Sequence, residues 1–184
     1  MNCLLNHTPE LVPTLKYISY WYAVYTHPRH EKVVTEQLEA KCIETFLPTF
    51  VTESCWRDRR VRIQTPAFPG YVFIKINRSE RSKVFAIPGV VRILSYNGVP
   101  APIDELEIEA VKLCIKRGAT PAAHTFIEIG ERVRVKTGML EGVEGLIMRC
   151  KNGRRLIVPI SLINQSIAVE VDADLLEPSM STIS

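Results

Sequence analysis

The chain has 184 residues, 46% of them hydrophobic and 23% charged, with a formal net charge of +3. That apolar content suits one medium domain or two small ones and excludes disorder over most of the length. The five cysteines, odd in number and without a CxxC pair, exclude a disulfide framework and a zinc site and point to reduced thiols in a cytoplasmic protein. The first 19 residues lack a basic start and are interrupted by His7, Pro9, Glu10 and Pro13, so they are expected to form an extension and not a signal peptide. No stretch approaches the roughly 18 apolar residues a membrane span requires.

Trp21-Tyr22-Ala23-Val24-Tyr25-Thr26 is aromatic and β-branched and reads as a strand. Pro28 suits a first helical turn, and Val34, Leu38 and Cys42 recur at helical spacing, predicting an amphipathic helix over 29–42. Ile43 to Thr52 reads as an edge or irregular strand because of Pro48, and Arg57 to Arg62 as a basic hairpin or loop. Gly70 to Ile76 gives the strongest strand pattern, followed by a short helix over Ser79–Ala86 and a strand over Val90–Tyr96 that turns at Asn97-Gly98. Asp104, with Glu107 three residues on, opens a helix that stops at Gly118. The mixture predicts an α+β unit over 20–117, an antiparallel sheet with helices on one face. Residues 118–127 read as a linker. From 128 to 178 the texture changes to short alternating strands punctuated by Gly138, Gly142, Gly145 and Gly153, which predicts a small SH3-like β-barrel followed by a tail over 179–184.

Charge and aromatic patterning then suggest where chemistry could reside. Residues 20–117 hold 15 Lys/Arg against 11 Asp/Glu, whereas 118–184 hold 7 against 8. The excess lies in two runs, Arg57, Arg59, Arg60 and Arg62, then Arg78, Arg81 and Lys83 with Arg92 beyond; each is either a solvated face or a phosphate-contacting one. No P-loop, GxGxxG or nucleophile elbow is present, and His27 and His30 have no matched carboxylate or cysteine pair, so no catalysis, cofactor or metal is expected. Because side chains alternate along strands, Trp21, Ala23 and Tyr25 share one face, as do Tyr71 and Phe73. That aromatic face is either core or an exposed binding surface; Val24, Val72 and Ile74 on the other face form a credible core by themselves, which favours the second.

Trp21-Tyr22-Ala23-Val24-Tyr25, Pro28-Arg29-His30-Glu31-Lys32, Phe46-Leu47-Pro48, Phe68-Pro69-Gly70-Tyr71-Val72-Phe73, Gly89-Val90-Val91-Arg92 and Pro100-Ala101-Pro102-Ile103 resemble, in order and spacing, the N-terminal domain of the NusG family of transcription factors. Gly130-Glu131-Arg132-Val133-Arg134-Val135 with Gly138, Gly142 and Gly145 is similar to that family's KOW module. The resemblance implies a factor that binds the clamp helices of RNA polymerase and suppresses pausing or termination. Trp21, Tyr25, Phe68, Tyr71, Phe73 and Phe126 match the family's polymerase-binding depression. By the same resemblance, Arg78, Arg81, Ser82 and Lys83 form the loop that reaches across the DNA channel, and His27, Arg29, His30 and the Arg57–Arg62 hairpin (Arg57, Arg59, Arg60, Arg62) lie near upstream or non-template DNA. Met139, Leu140 and Val143 correspond to the loop that docks a ribosomal protein or Rho; apolar residues at a hairpin tip either serve such a partner or cap the barrel end. The extra N-terminal residues and short hairpin look like a specialised, operon-specific relative. An RNA- or ribosome-binding KOW protein is the alternative. A monomer is expected.

Overall fold

The computed structural model describes residues 18–56, 59–122, 131–150 and 153–179. Strand β1 (Tyr20–Thr26) is followed by α1 (Glu31–Glu39), β2 (Glu44–Phe46), β3 (Thr49–Trp56), β4 (Arg59–Pro66), β5 (Tyr71–Ile76), α2 (Arg81–Phe85), β6 (Val90–Ile93), β7 (Ser95–Tyr96), β8 (Val99–Pro100) and α3 (Glu105–Lys116). The central antiparallel sheet has the order β2-β5-β1-β6. β3 with β4, and β7 with β8, form separate two-stranded ladders.

The local chemistry explains where these elements begin and end. Arg29 has φ 65, a left-handed conformation that a non-glycine residue rarely adopts, so α1 starts only at Glu31. Pro48, which has no N–H to donate, separates β2 from β3 where one strand was expected. A reciprocal capping box forms at Asn77: its Oδ1 accepts from Ser79 N and Glu80 Oε2 accepts from Asn77 N, setting up a 3-10 turn over Arg78–Glu80 ahead of α2. At α3 the expected N-cap is present, with Asp104 Oδ1 accepting from Leu106 N at 2.9 Å.

The register puts Val24 opposite Val72 and Tyr22 opposite Ile74. α1 and α2 cover this face, where Val24, Val72, Ile74, Val34, Leu38, Val84 and Ile87 are buried. The opposite face carries Trp21, Ala23 and Phe73, and it is not open. α3 lies on it with Ile108, Val111 and Cys114 buried, so helices occupy both faces and not the one expected. The reason is area: two or three large aromatic rings left in water would forgo several kcal/mol of burial at about 25 cal/mol per Å².

Within that layer Cys114 is fully buried, and desolvation pushes its thiol up to about 12. Cys42 is exposed just after α1. Iodoacetamide at mildly alkaline pH is therefore expected to modify Cys42 and spare Cys114 until the protein unfolds, as peptide mass mapping would report. Modification of native Cys114 at the Cys42 rate would contradict the packing.

The chain leaves α3 through Gly118 and forms β9 (Thr120–Ala122), then β10 (Glu131–Val135), β11 (Glu144–Cys150), β12 (Gly153–Ile160), β13 (Gln165–Val171) and β14 (Leu176–Pro178). These make one curled antiparallel sheet in the order β14-β10-β11-β12-β13-β9. Its core is Val133, Val135, Leu140, Val143, Leu156, Val158, Ile160, Ile167 and Val169. The first part of the expected linker is thus a strand of the C-terminal sheet. α3 packs against β12 and β13, so this one helix carries the sheet of the first unit on one side and the barrel on the other.

Candidate functional site

The sequence-selected aromatics separate into two groups. Trp21, Phe68 and Phe73 are buried, at 2%, 1% and 0% exposure. Phe73 packs edge-on against Phe68 with centroids 5.8 Å apart and lies 6.1 Å from Phe46. These residues are core, which corrects the expectation that the whole face would be open, because α3 covers it. Lys112 of α3 sets its ammonium 4.9 Å from the Trp21 ring and 5.6 Å from that of Phe46, and ion-pairs with Glu109. Lys75 of β5 bonds Glu105 at the start of α3, a contact that lowers the Glu105 pKa and raises that of Lys75. Ile103 N donates to Trp21 O at 2.8 Å.

Tyr25 and Tyr71 are half-buried neighbours across the β1–β5 ladder, with ring centroids 5.4 Å apart. The Arg92 guanidinium lies 5.6 Å from the Tyr25 centroid. The pair forms the accessible rim of the aromatic layer. Phe126 lies outside the described residues.

Beside this rim the backbone is tightly fixed. Gly70 N donates to the buried Glu31 carboxylate at 2.7 Å, while Gly70 O accepts from Thr26 N at 2.8 Å and from Thr26 Oγ1 at 3.3 Å. His27 N donates to Gly89 O at 2.8 Å. These bonds gather three chain segments at one end of the sheet. A Cβ at Gly70, whose φ is +82, would meet the Tyr25 ring at 3.1 Å, so the Pro69-Gly70 turn and the position of Tyr25 depend on each other. Glu31 is the structural residue that sequence reading missed, since nothing in its spacing separates it from an ordinary first-turn acid.

His27, Arg29 and His30 are exposed at this same end, with the two imidazoles 5.9 Å apart. Lys32 Nζ donates to Gln64 O at 3.1 Å and ties the β3–β4 hairpin to α1. Arg60 and Arg62 project from that hairpin with side chains 84% and 82% exposed, each 4.0 Å from Glu53. Pairs so open are heavily screened and leave most of the local positive field intact. Arg57 lies outside the described residues, and so does the side chain of Arg59. Arg78, Arg81, Ser82 and Lys83 occupy the turn and α2, at the other end of β5; Lys83 ion-pairs with Glu80, and Lys41 Nζ donates to Lys83 O at 3.3 Å. The structure therefore keeps the two basic runs apart. Among the described residues no group of His, Cys, Asp and Glu could hold a metal ion, and no helix is long and apolar enough to cross a membrane.

In the barrel, Leu140 and Val143 are 3% and 4% exposed and belong to its core, whereas Met139 is 59% exposed. Of the two readings of this apolar tip, capping of the barrel accounts for Leu140 and Val143, and Met139 alone remains on the surface.

The family described as "Transcription termination factor nusG" matches residues 19–112, which contain β1 through most of α3. The chain belongs to the NusG family. NusG-family members are transcription factors and not enzymes. The chain is 27% identical over 168 residues to the transcription termination/antitermination protein NusG of Rickettsia prowazekii, covering 84% of this chain and 88% of that one. It is 25% identical over 164 residues to the NusG of Helicobacter pylori, covering 82% and 93%. A solved structure titled "Domain interaction in Thermotoga maritima NusG" shares the fold, with TM-score 0.50 and 20% identity over 87% of this chain and 97% of that one.

Proposed function

We propose that this NusG-family chain is a transcription termination/antitermination factor that binds RNA polymerase at the clamp helices through its N-terminal sheet. The observation that carries the reading is the Tyr25–Tyr71 pair, half-buried at the rim of an aromatic layer on the family-matched unit. Half-buried tyrosines present a large apolar body with a polar tip, the kind of side chain that dominates protein interfaces. The buried Trp21, Phe68 and Phe73 hold that rim in place, and Phe126 is the remaining member of the set. His27, Arg29, His30, Arg60 and Arg62, with Arg57 and Arg59, supply salt-dependent contact with upstream or non-template DNA. Arg78, Arg81, Ser82 and Lys83 reach across the channel. Bridging of this kind favours a closed, pause-resistant enzyme by shifting its population. Met139 is the exposed barrel residue that a ribosomal protein or Rho would meet. We read the factor as operon-specific, cytoplasmic and monomeric.

Core RNA polymerase captured by the purified full chain, with Tyr71→Ala alongside, tests this directly. Loss of one interface tyrosine is expected to cost about 1–2 kcal/mol, or roughly 5- to 30-fold in Kd. Binding that Tyr71→Ala leaves unchanged would remove the tyrosine rim from the interface. Retention of RNA in place of polymerase would favour the RNA- or ribosome-binding alternative.

A further inference from the structure

The strand register places three side chains in one row across the N-terminal sheet. Tyr25 of β1 lies opposite Tyr71 of β5 on one side and opposite Arg92 of β6 on the other. Directly opposed residues share a face, so Arg92 extends the tyrosine pair by one position. β6 is an edge strand of the four-stranded sheet, so among the described residues no other strand of that sheet lies beyond Arg92. The guanidinium is 5.6 Å from the Tyr25 ring centroid, and the Tyr25 and Tyr71 centroids are 5.4 Å apart. Attraction to a ring steadies a guanidinium without supplying an oxygen to its N–H donors, so the donor fork stays available.

Charge distinguishes this end of the aromatic layer from the other. Lys75 and Lys112 also sit near a ring, 5.9 and 4.9 Å from the Trp21 centroid, but Lys75 pairs with Glu105 and Lys112 with Glu109. Arg92 is exposed, and among the described residues no carboxylate pairs with it. The buried Glu31 carboxylate already accepts from Gly70 N. The tyrosine row therefore ends in an uncompensated positive charge. Arg92 is also parted from the cations with which the sequence grouped it. α2, which carries Arg81 and Lys83, packs on the face of Val24 and Val72, whereas Arg92 shares the face of Tyr25.

We propose that Arg92 is a specificity-determining residue of the tyrosine rim and receives a carboxylate from the polymerase surface that Tyr25 and Tyr71 engage. The inference rests on the polymerase reading of that rim. The two rings supply apolar area, and the planar guanidinium supplies parallel donors matched to a carboxylate. Docking removes water from the rim. A partner surface without an acid at this point would leave Arg92 desolvated and unpaired, which counts against it. A nucleic-acid phosphate is the competing acceptor. The Tyr25 and Tyr71 rings are tilted 54° to each other, so they offer no common plane on which successive bases could stack beside such a phosphate.

The test titrates core RNA polymerase, free of nucleic acid, with the full chain unaltered or carrying Arg92→Gln, Arg92→Glu or Tyr71→Ala. Gln and Glu are nearly equal in size, so a difference between those two variants reports charge and not packing. Arg92→Gln is expected to raise Kd about fivefold and Arg92→Glu about 30-fold or more, because an acid would then face an acid. Equal Kd values for Arg92→Gln and Arg92→Glu would overturn the inference, while weakened binding by Tyr71→Ala would keep the rim in the interface. Unchanged binding by Tyr71→Ala would remove the polymerase reading of the rim and the inference with it. A parallel titration with single-stranded and duplex DNA isolates the phosphate reading. Loss of DNA binding by Arg92→Gln with polymerase binding retained would assign Arg92 to nucleic acid and overturn the proposal equally.

Discussion

Phe73→Ala is expected to lower the unfolding free energy of the N-terminal unit by about 3–5 kcal/mol, while Tyr71→Ala costs about 1 kcal/mol. The two residues are two apart on β5 and share a face, yet Phe73 is 0% exposed and Tyr71 half-buried. Removing the Phe73 ring leaves a cavity between Phe46, Phe68 and the underside of α3, where rings meet at 5.8 and 6.1 Å and cannot easily collapse. At Tyr71 water can occupy the vacated space. Urea titration followed by far-ultraviolet circular dichroism would separate the two. Equal and small losses would restore the fully exposed aromatic face that alternation suggested. A large loss at Phe73 makes Tyr71 the informative position for binding studies, since a Phe73 variant that failed to bind polymerase would report misfolding.

Gly145→Val is expected to destabilise the barrel by about 3 kcal/mol, the upper end of the usual overpacking range, and to leave the N-terminal sheet folded. A Cβ at Gly145 would stand 2.4 Å from Ile157 O and 3.0 Å from Leu156 Cδ1. The first contact is with backbone, so no rotamer change relieves it. Gly145 lies opposite Val133 in the β10–β11 ladder, and β11 also pairs with β12 at Leu146–Ile157, so any shift opens two ladders at once. Amide exchange would show loss of protection in β10–β12 with β1 and β5 unaffected. A variant as stable as the unaltered chain would mean that the sheet spreads to admit the side chain. By contrast, Gly138 and Gly142 have nothing within 4 Å of a Cβ, although each holds a positive φ that favours glycine.

Period and punctuation in the sequence by themselves determined a good deal of this protein. Aromatic and β-branched runs identified β1 and β5, strict alternation identified β10, helical spacing identified α1, a capping pattern and a glycine stop identified α3, and a change of texture near residue 130 marked a second, helix-free unit, because each signal is local and set by backbone geometry. The ordered set of short motifs also pointed to the NusG family, which the match over residues 19–112 shows. What only the tertiary structure decided was cover. Alternation assigns a residue to a face but not what lies on that face: α3 buries Trp21, Phe68 and Phe73 and leaves Tyr25 and Tyr71 as the rim. The same holds for Leu140 and Val143, whose tip position suited a docking loop or a barrel cap equally and whose burial only the folded barrel decides. It holds again for Thr120–Ala122, whose composition reads as linker but whose backbone finds a free edge on β13. Burial and strand pairing depend on partners far away in the chain, and no local pattern encodes them.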